Sequence, residues 1–558
     1  MQVKVKLKSM LQGISKKQID AARRRYQEAL ATKPRQAHRN LFKSNDDGND
    51  AQMSAMRHPV TGMIETSNEG ILSALDAHTS LQAAPVGGPR TGKYLPSEVA
   101  RDYPFKPAAH GQPPVVDSFK LYSPMSAATH LLDRIADRSA YLTCVHHLSR
   151  NKAPGPDGLP NELLKCLPDD VHAAIHDLFL VMWVKAQTPV SWTCSNTVLL
   201  YKKGDARDPK NYRPIALANT IYKLWTSTIT CAVGGHAERH NILSEAQEGF
   251  RKNRNTNRQL MNMLHVAEDA ALTRQDLYVT YIDFSSAFNT IDQDKLLVIM
   301  YDLGFPVDAI EVVRNLYSNA ATRIVVPQGT TKPIPIQRGT VQGDTLSPLL
   351  FIIFLEPLLR WLHVGERGYK YGCLTDSENL QHHNSSSAFA DDIALTTNCP
   401  INMQIQADKV GSFAKWSTME VNHGKCAATG IMYKSSDAKT VKSETCMDAL
   451  ERRLHITITG RAIPLLSPKQ PYRYLGMHLT LTLNWKHHMT ETMQSLRSKG
   501  DRLMASLASP KQRLHIITTC LKPAITYGLA CMPYTASDVA MIDAALCRIA
   551  RKCTTLPQ

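Results

Sequence analysis

The 558-residue chain has no C-x2-C pair, and the two closest of its twelve cysteines are Cys547 and Cys553. That spacing excludes a cysteine-pair zinc finger and argues against a disulfide framework; it reads as reduced, mostly buried thiols in an intracellular protein. Long apolar runs are also missing. The longest, Leu349–Leu355, is too short to cross a bilayer, and residues 1–12 alternate lysine with apolar residues rather than forming a signal-peptide core. A soluble intracellular protein without a membrane partner is expected. Acids are in deficit: 49 Asp+Glu face 65 Lys+Arg, a formal charge of +16. An excess of that size favours a polyanionic partner such as nucleic acid. There is no internal repeat, coiled coil or long low-complexity tract. What remains, 43% hydrophobic and 20% charged residues, is ordinary globular composition, in a chain long enough for two to four subdomains.

The first 45 residues carry twelve Lys/Arg against only Asp20 and Glu28. They read either as a basic arm touching phosphates or as a solvated tail. Residues 44–60 are polar and read as flexible, and proline and glycine accumulate from 84 to 117, as in an extended connector. After Ser123-Pro124 a helix is expected through MSAATHLLDRIADRSAYLTCVHHL, with Leu131, Leu132, Ile135, Tyr141 and Leu142 on its apolar face. Strand, turn and helix patterns alternate from there to about 435, and beyond 485 the pattern is largely helical.

Two acidic segments carry the chemistry. In LYVTYIDFSSAFNTID (277–292), Leu277 to Ile282 is β-branched and aromatic, a buried strand with Asp283 at its end. A lone strand-end aspartate is usually a cap. In SAFADDIALTT (387–397), Asp391 and Asp392 sit between short apolar strands, as at the tip of a tight hairpin. Adjacent turn aspartates are commonly just solvated. However, the apolar flanks place these acids beside a core, and the 108 residues separating Asp283 from Asp391 let the two strands meet in one sheet. Three crowded carboxylates repel one another unless a cation neutralises them, and hard oxygen donors suit a Mg2+ pair (Mn2+ could substitute). Between the acids, IQRGTVQGDTLSPLLFIIFLEPLL (336–359) reads as a Gly-rich turn followed by an apolar helix. Gly339 and Gly343 there leave room for close backbone approach, and Gln342 can hydrogen-bond a base or sugar. Upstream, LLYKKGDARDPKNYRPIAL (199–217) reads as a hairpin bearing Lys202, Lys203 and Arg213, cations suited to a triphosphate.

Taken in order, NKAPGPDGLPNELLK, KKGD…NYRPIAL, EAQEGFRKNRNTNRQL, IDFSSAFNTID, RGTVQGDTLSP, AFADD, VNHGKC and YRYLGMHL resemble the reverse transcriptase of non-LTR (LINE-type) retrotransposons, over about residues 120–555. The resemblance implies an α+β right-hand polymerase with an antiparallel palm sheet and a helical thumb. Its divisions would be an arm and connector (1–119), fingers (120–275), palm with a primer-grip hairpin (276–485) and thumb (486–558). It implies that Asp283, Asp391 and Asp392 hold two Mg2+ ions, Asp392 being the most dispensable. Lys202 or Lys203 with Arg213 would cradle the triphosphate, Gln342 and Gly343 would line the nucleotide and template groove, and Lys425 would protonate the leaving pyrophosphate. Tyr474, Leu475 and Gly476 would grip the primer end. The implied partners are an RNA template, a DNA primer or target DNA, and deoxynucleoside triphosphates, in the nucleus or cytoplasm.

Phe288, five residues after Asp283, stands where such enzymes place a bulky residue beneath the sugar, and Ala390 precedes the Asp pair where RNA-dependent RNA polymerases usually carry glycine. Both features favour DNA synthesis. One departure is Asn289, where the family usually has aspartate. The segment before 120 reads as too short for the endonuclease that often precedes this polymerase, so nicking activity would come from elsewhere. The end of the chain resembles a point inside the family's C-terminal region, as in a truncated reading frame. The rival readings are an inactive nucleic-acid-binding relic and a group II intron-type or other cellular reverse transcriptase.

Overall fold

The computed structural model describes residues 53–85, 130–341, 343–371, 382–433, 443–528, 531–532 and 534–554. They fall into two compact units, one of 51–470 with 481–483, the other built from 471–480 and the residues after 483.

The larger unit is organised by the strand Leu277–Ile282. All six of its residues are buried, which suits a β-branched and aromatic run covered on both faces. It lies at the centre of a five-stranded sheet in the order Ser386–Phe389, Asp392–Thr397, Leu277–Ile282, Ala427–Ile431, Leu465–Leu466. The first four strands pair antiparallel, as expected for a palm; the short Leu465–Leu466 edge runs parallel to its neighbour. Beneath lies the helix Ser347–His363, whose apolar run Leu349–Leu355 is buried throughout, so the longest hydrophobic stretch in the chain is its central core helix. Proline at its first turn costs no hydrogen bond there. The helix Pro400–Ser417 packs on the same sheet through Met403, Ala407, Val410 and Phe413.

A second sheet pairs Cys194–Tyr201 antiparallel with Tyr212–Leu217 and parallel with Ala321–Val326. The predicted basic hairpin is thus present. Its surroundings contain a difference from expectation. Residues 53–60, read as polar and flexible, are partly a folded edge: Met56 is fully buried, and Met56–Arg57 pairs with Ile64–Glu65. Together with Ile71, Ala74 and Leu75 of the helix Asn68–Ala83, Met53 and Met56 form a small core against Tyr212, Ile324 and Ile334. The missed signal is the apolar set Ile71, Ala74, Leu75, which recurs at helical spacing. The single helix expected after Pro124 is two in its described part, Leu132–Ala136 and Arg138–His147. Asp137 breaks it, turning its carboxylate onto the amides of Ser139 (2.9 Å) and Ala140 (3.2 Å) as an N-cap.

The smaller unit joins the hairpin Tyr472–Tyr474/Met477–Leu479 to the helices Lys486–Ala505, Pro510–Ile516 and Ala536–Thr554. Its core comprises Met493, Leu496, Leu503, Ile516 and Ile549 among others. Gly500 is required where two helices touch, since a Cβ there would stand 2.6 Å from Ile549 Cδ1.

Candidate active site

Asp391 occupies the two-residue turn Ala390-Asp391 of a hairpin in which Phe389 pairs with Asp392. Ala390 adopts a left-handed φ of 56°, a strained choice for a residue with a Cβ. Gln247 holds it there. Its Oε1 accepts from the Ala390 amide (2.8 Å) and the Gly249 amide (2.8 Å), and its Nε2 donates to the Ala390 carbonyl (3.3 Å). The Gln247 segment also docks as an extra edge: Ala388 N donates to Ala246 O at 2.8 Å, and Glu248 N to Ala388 O at 2.9 Å. Gly249 allows this approach, because a Cβ would fall 2.4 Å from the Ala390 nitrogen. Arg251, with its side chain 3% exposed, braces the segment through Glu238 (2.8 Å to each oxygen) and the carbonyls of Ser244 and Gln247.

The sheet register brings the third acid alongside. Ile393 lies opposite Ile282, so one step further Asp392 faces Asp283. The VNHGK turn closes over Asp283: Asn422 N donates to its carbonyl at 2.8 Å, its own amide donates to Cys426 Sγ at 3.4 Å, and Lys425 Nζ lies 3.2 Å from its Oδ2. Val421 pairs with Phe284 immediately beyond.

Burial raises the Asp391 carboxyl, with Asp283 adding to the shift; burial, then Asp391 and Asp283, push Asp392 up to about 6. Lys425 opposes both shifts, and its charge also reaches Lys202, whose ammonium is lowered by burial, then by Arg213 and Lys425. Among the described residues, Lys202, Lys203 and Arg213 have no carboxylate partner within ion-pair distance. The donors fit a divalent cation in kind, being hard oxygens, half-buried at Asp283 and Asp391 and exposed at Asp392, whose repulsion a cation would relieve. Among the described residues, however, no three His, Cys, Asp or Glu side chains converge as a ready-made metal cluster.

Phe288 lies two residues after Ser286, itself at φ 50°, and its ring stacks on Phe351 at 4.4 Å and meets Phe250 edge-on at 6.1 Å. The Thr340 amide holds its carbonyl at 2.9 Å. Gly343, at φ 121°, lies against the hairpin strand that bears Arg213; a Cβ would come 2.6 Å from Ala216 O. Gln342 lies outside the described residues. Tyr474, Leu475 and Gly476 belong to the smaller unit. There Leu475 (φ 47°) and Gly476 (φ 85°) form the turn, Tyr474 is buried, and Tyr527 Oη donates to Leu475 O at 2.6 Å.

Sequence reasoning missed Gln247, Gly249 and Asp344. The last is buried beside Gly343, accepts from Thr226 Oγ1 at 2.5 Å and from the Thr345 amide at 2.8 Å, and is pushed up to about 6 by burial. Gln247 and Gly249 stood inside a quoted motif, but nothing local announces a side chain whose partner lies 143 residues away.

An acid-tipped antiparallel sheet, a basic hairpin and the stacked Phe288 thus lie in one unit of the chain. The family model described as reverse transcriptase (RNA-dependent DNA polymerase) matches residues 201–479, half of the chain, and the chain belongs to that family. Several relatives that it matches are proteins of mobile elements. The chain is 24% identical over 384 residues to the Pol polyprotein of the type-2 retrotransposable element R2DM of Drosophila melanogaster, covering 69% of this chain and 34% of the relative. It is 24% identical over 424 residues to the RNA-directed DNA polymerase from the mobile element jockey of the same organism (74% and 42%), and 25% identical over 411 residues to an R2 polyprotein of Popillia japonica (72% and 53%). The chain thus spans about a third to a half of the length of these relatives. Among solved structures, telomerase from Candida tropicalis in complex with a fragment of telomeric RNA aligns over 69% of this chain and 62% of its own. At 11% identity and a TM-score of 0.34, that likeness is too loose to argue from.

Proposed function

We propose that this chain is an RNA-directed DNA polymerase of a non-LTR retrotransposon, extending a DNA primer 3′-OH on an RNA template with deoxynucleoside triphosphates. The observation that carries this reading is the sheet register that brings Asp283, Asp391 and Asp392 to one sheet end, with Lys425 Nζ 3.2 Å from Asp283 Oδ2.

In this reading Asp283 and Asp391, aided by Asp392, hold two divalent cations, Mg2+ or Mn2+. Bound there, such ions supply Lewis-acid polarisation and neutralise charge on the attacking and leaving oxygens. The residues of the chain do the rest. Lys202, Lys203 and Arg213 draw in and orient the triphosphate, Arg as a planar fork and Lys as point charges. Lys425, 66% exposed in its side chain, delivers a proton to the departing pyrophosphate. The Phe288 ring, fixed by Phe351, excludes a ribose 2′-OH, and Gly343 with Gln342 lines the groove. Tyr474, Leu475 and Gly476 grip the primer end. No covalent intermediate is involved; the rate comes from positioning and electrostatics. Template binding is mainly to phosphates, so it weakens as salt rises. Among the described residues no helix is long and apolar enough to cross a membrane. By analogy with the family, the proposed compartment is the nucleus or the cytoplasm.

The test is primer extension by the full chain on poly(rA)/oligo(dT) with Mg2+ and dTTP. Extension supports the proposal. Folded protein that binds the duplex without extending it would replace this reading with that of a nucleic-acid-binding relic.

A further inference from the structure

Outside the active site, two thiols meet across a helix interface. Cys144 lies on the helix Arg138–His147 and Cys231 on the helix Thr220–Arg239, and their sulfurs are 3.4 Å apart. Their exposures differ sharply: Cys144 is 4% exposed, whereas Cys231 faces solvent. An accessible thiol in contact with a buried one is the arrangement of a reactive cysteine and its resolving partner.

We propose that Cys231 and Cys144 form an oxidation site that hydrogen peroxide converts into a disulfide between these two helices. The Cys231 thiolate attacks a peroxide oxygen; an S–O bond forms, the O–O bond breaks and one water leaves after protonation. The Cys144 sulfur then attacks Cys231 Sγ; the S–S bond forms, the S–O bond breaks and the hydroxide departs as a second water with the Cys144 proton. Two thiols lose two electrons and the peroxide gains them. The sulfurs must approach by about 1.4 Å to reach disulfide length.

Local chemistry favours Cys231 as the attacking sulfur. The hydrogen bond from Cys144 and the Lys252 charge bring its thiol down to about 7, against the effect of burial, while Cys144 is held well above the usual thiol range by its bond to Cys231 and by burial. A lowered thiol and an adjacent second sulfur favour fast, reversible oxidation over progression to sulfinic acid. Cys166 and Cys547 are also exposed and serve as internal controls.

The test treats the reduced full chain with a few equivalents of hydrogen peroxide, blocks free thiols and maps peptides without reductant. The expected result is a Cys144–Cys231 linked peptide that dithiothreitol reverses and that forms at least tenfold faster than oxidation at Cys166 or Cys547. In Cys144→Ser, Cys231 should instead be trapped as a dimedone-labelled sulfenic acid; in Cys231→Ser, Cys144 should remain reduced. Absence of the linked peptide from wild-type protein, with Cys231 alkylated no faster than Cys166, would overturn the proposal without touching the polymerase reading.

Discussion

Gln247 grips Ala390 by both its amide (2.8 Å) and its carbonyl (3.3 Å), and so fixes the left-handed turn that presents Asp391. The side chain is fully buried, so nothing else can take its place at these groups. Gln247→Leu, close in shape, strands the amides of Ala390 and Gly249 at about 1–3 kcal/mol each. We expect a lower denaturation midpoint and a fall in kcat for nucleotide addition of at least about tenfold in protein that remains folded. Denaturant unfolding and single-nucleotide extension measure the two effects separately. An unchanged kcat would mean that the turn holds its shape without Gln247.

Arg251 supports the same segment from behind. Its two-point contact with Glu238 at 2.8 Å and its bonds to the Ser244 and Gln247 carbonyls use the planar fork of a guanidinium. Arg251→Ala should destabilise the fold by about 1–3 kcal/mol, because it strands the Ser244 and Gln247 carbonyls, while Glu238, 36% exposed, can turn to water. Arg251→Lys should recover less than half of that loss, because an ammonium cannot reproduce the fork. Urea midpoints of the three proteins decide.

Phe288 owes its position to stacking on Phe351 at 4.4 Å. If the ring selects sugars, Phe288→Ala raises the ratio of kcat/KM for a ribonucleotide to that for the matching deoxynucleotide by about tenfold or more. Running both triphosphates over one primer-template pair reads it directly. An unchanged ratio would reduce Phe288 to a core aromatic.

In the smaller unit, His488 supplies a pH signature. Its Nδ1 accepts from the His478 amide at 3.3 Å, which requires a neutral ring, and burial with the neighbouring His478 and His487 lowers it from 6.5 to about 4. The unfolded chain therefore binds the proton more readily than the folded one between those values. The stability His488 contributes is present above about 6.5 and is lost as pH falls toward 4. His488→Gln, which keeps an acceptor but does not titrate, should flatten this acid limb. Thermal unfolding of both proteins at several pH values checks the sign; parallel curves would remove His488 as the cause.

The acidic strand ends, the basic hairpin and the central apolar helix were legible in the sequence because each is a local pattern. Six buried β-formers ending in Asp283, Ala390-Asp391 between short apolar strands, and the Leu349–Leu355 run each state their structure within a few residues. What escaped was long-range or backbone-driven. Met56 looks like an isolated methionine in a polar stretch until Ile324 and Ile334, more than 260 residues on, supply its core. Asp137 looked like one more helical residue, yet its carboxylate competes for the amides of Ser139 and Ala140 and splits the helix. Gln247 needed the sheet to be built before its partner existed.

The proposed site requires Asp391 as a charged ligand-bearing acid rather than a solvated turn residue. Asp391→Asn removes the charge and keeps the shape, so primer extension on poly(rA)/oligo(dT) by this variant, beside wild type of equal thermal stability, tests it most directly. We predict a loss of at least about a thousandfold in rate with duplex binding retained. Extension at the wild-type rate would contradict the assignment and, with it, the proposed site.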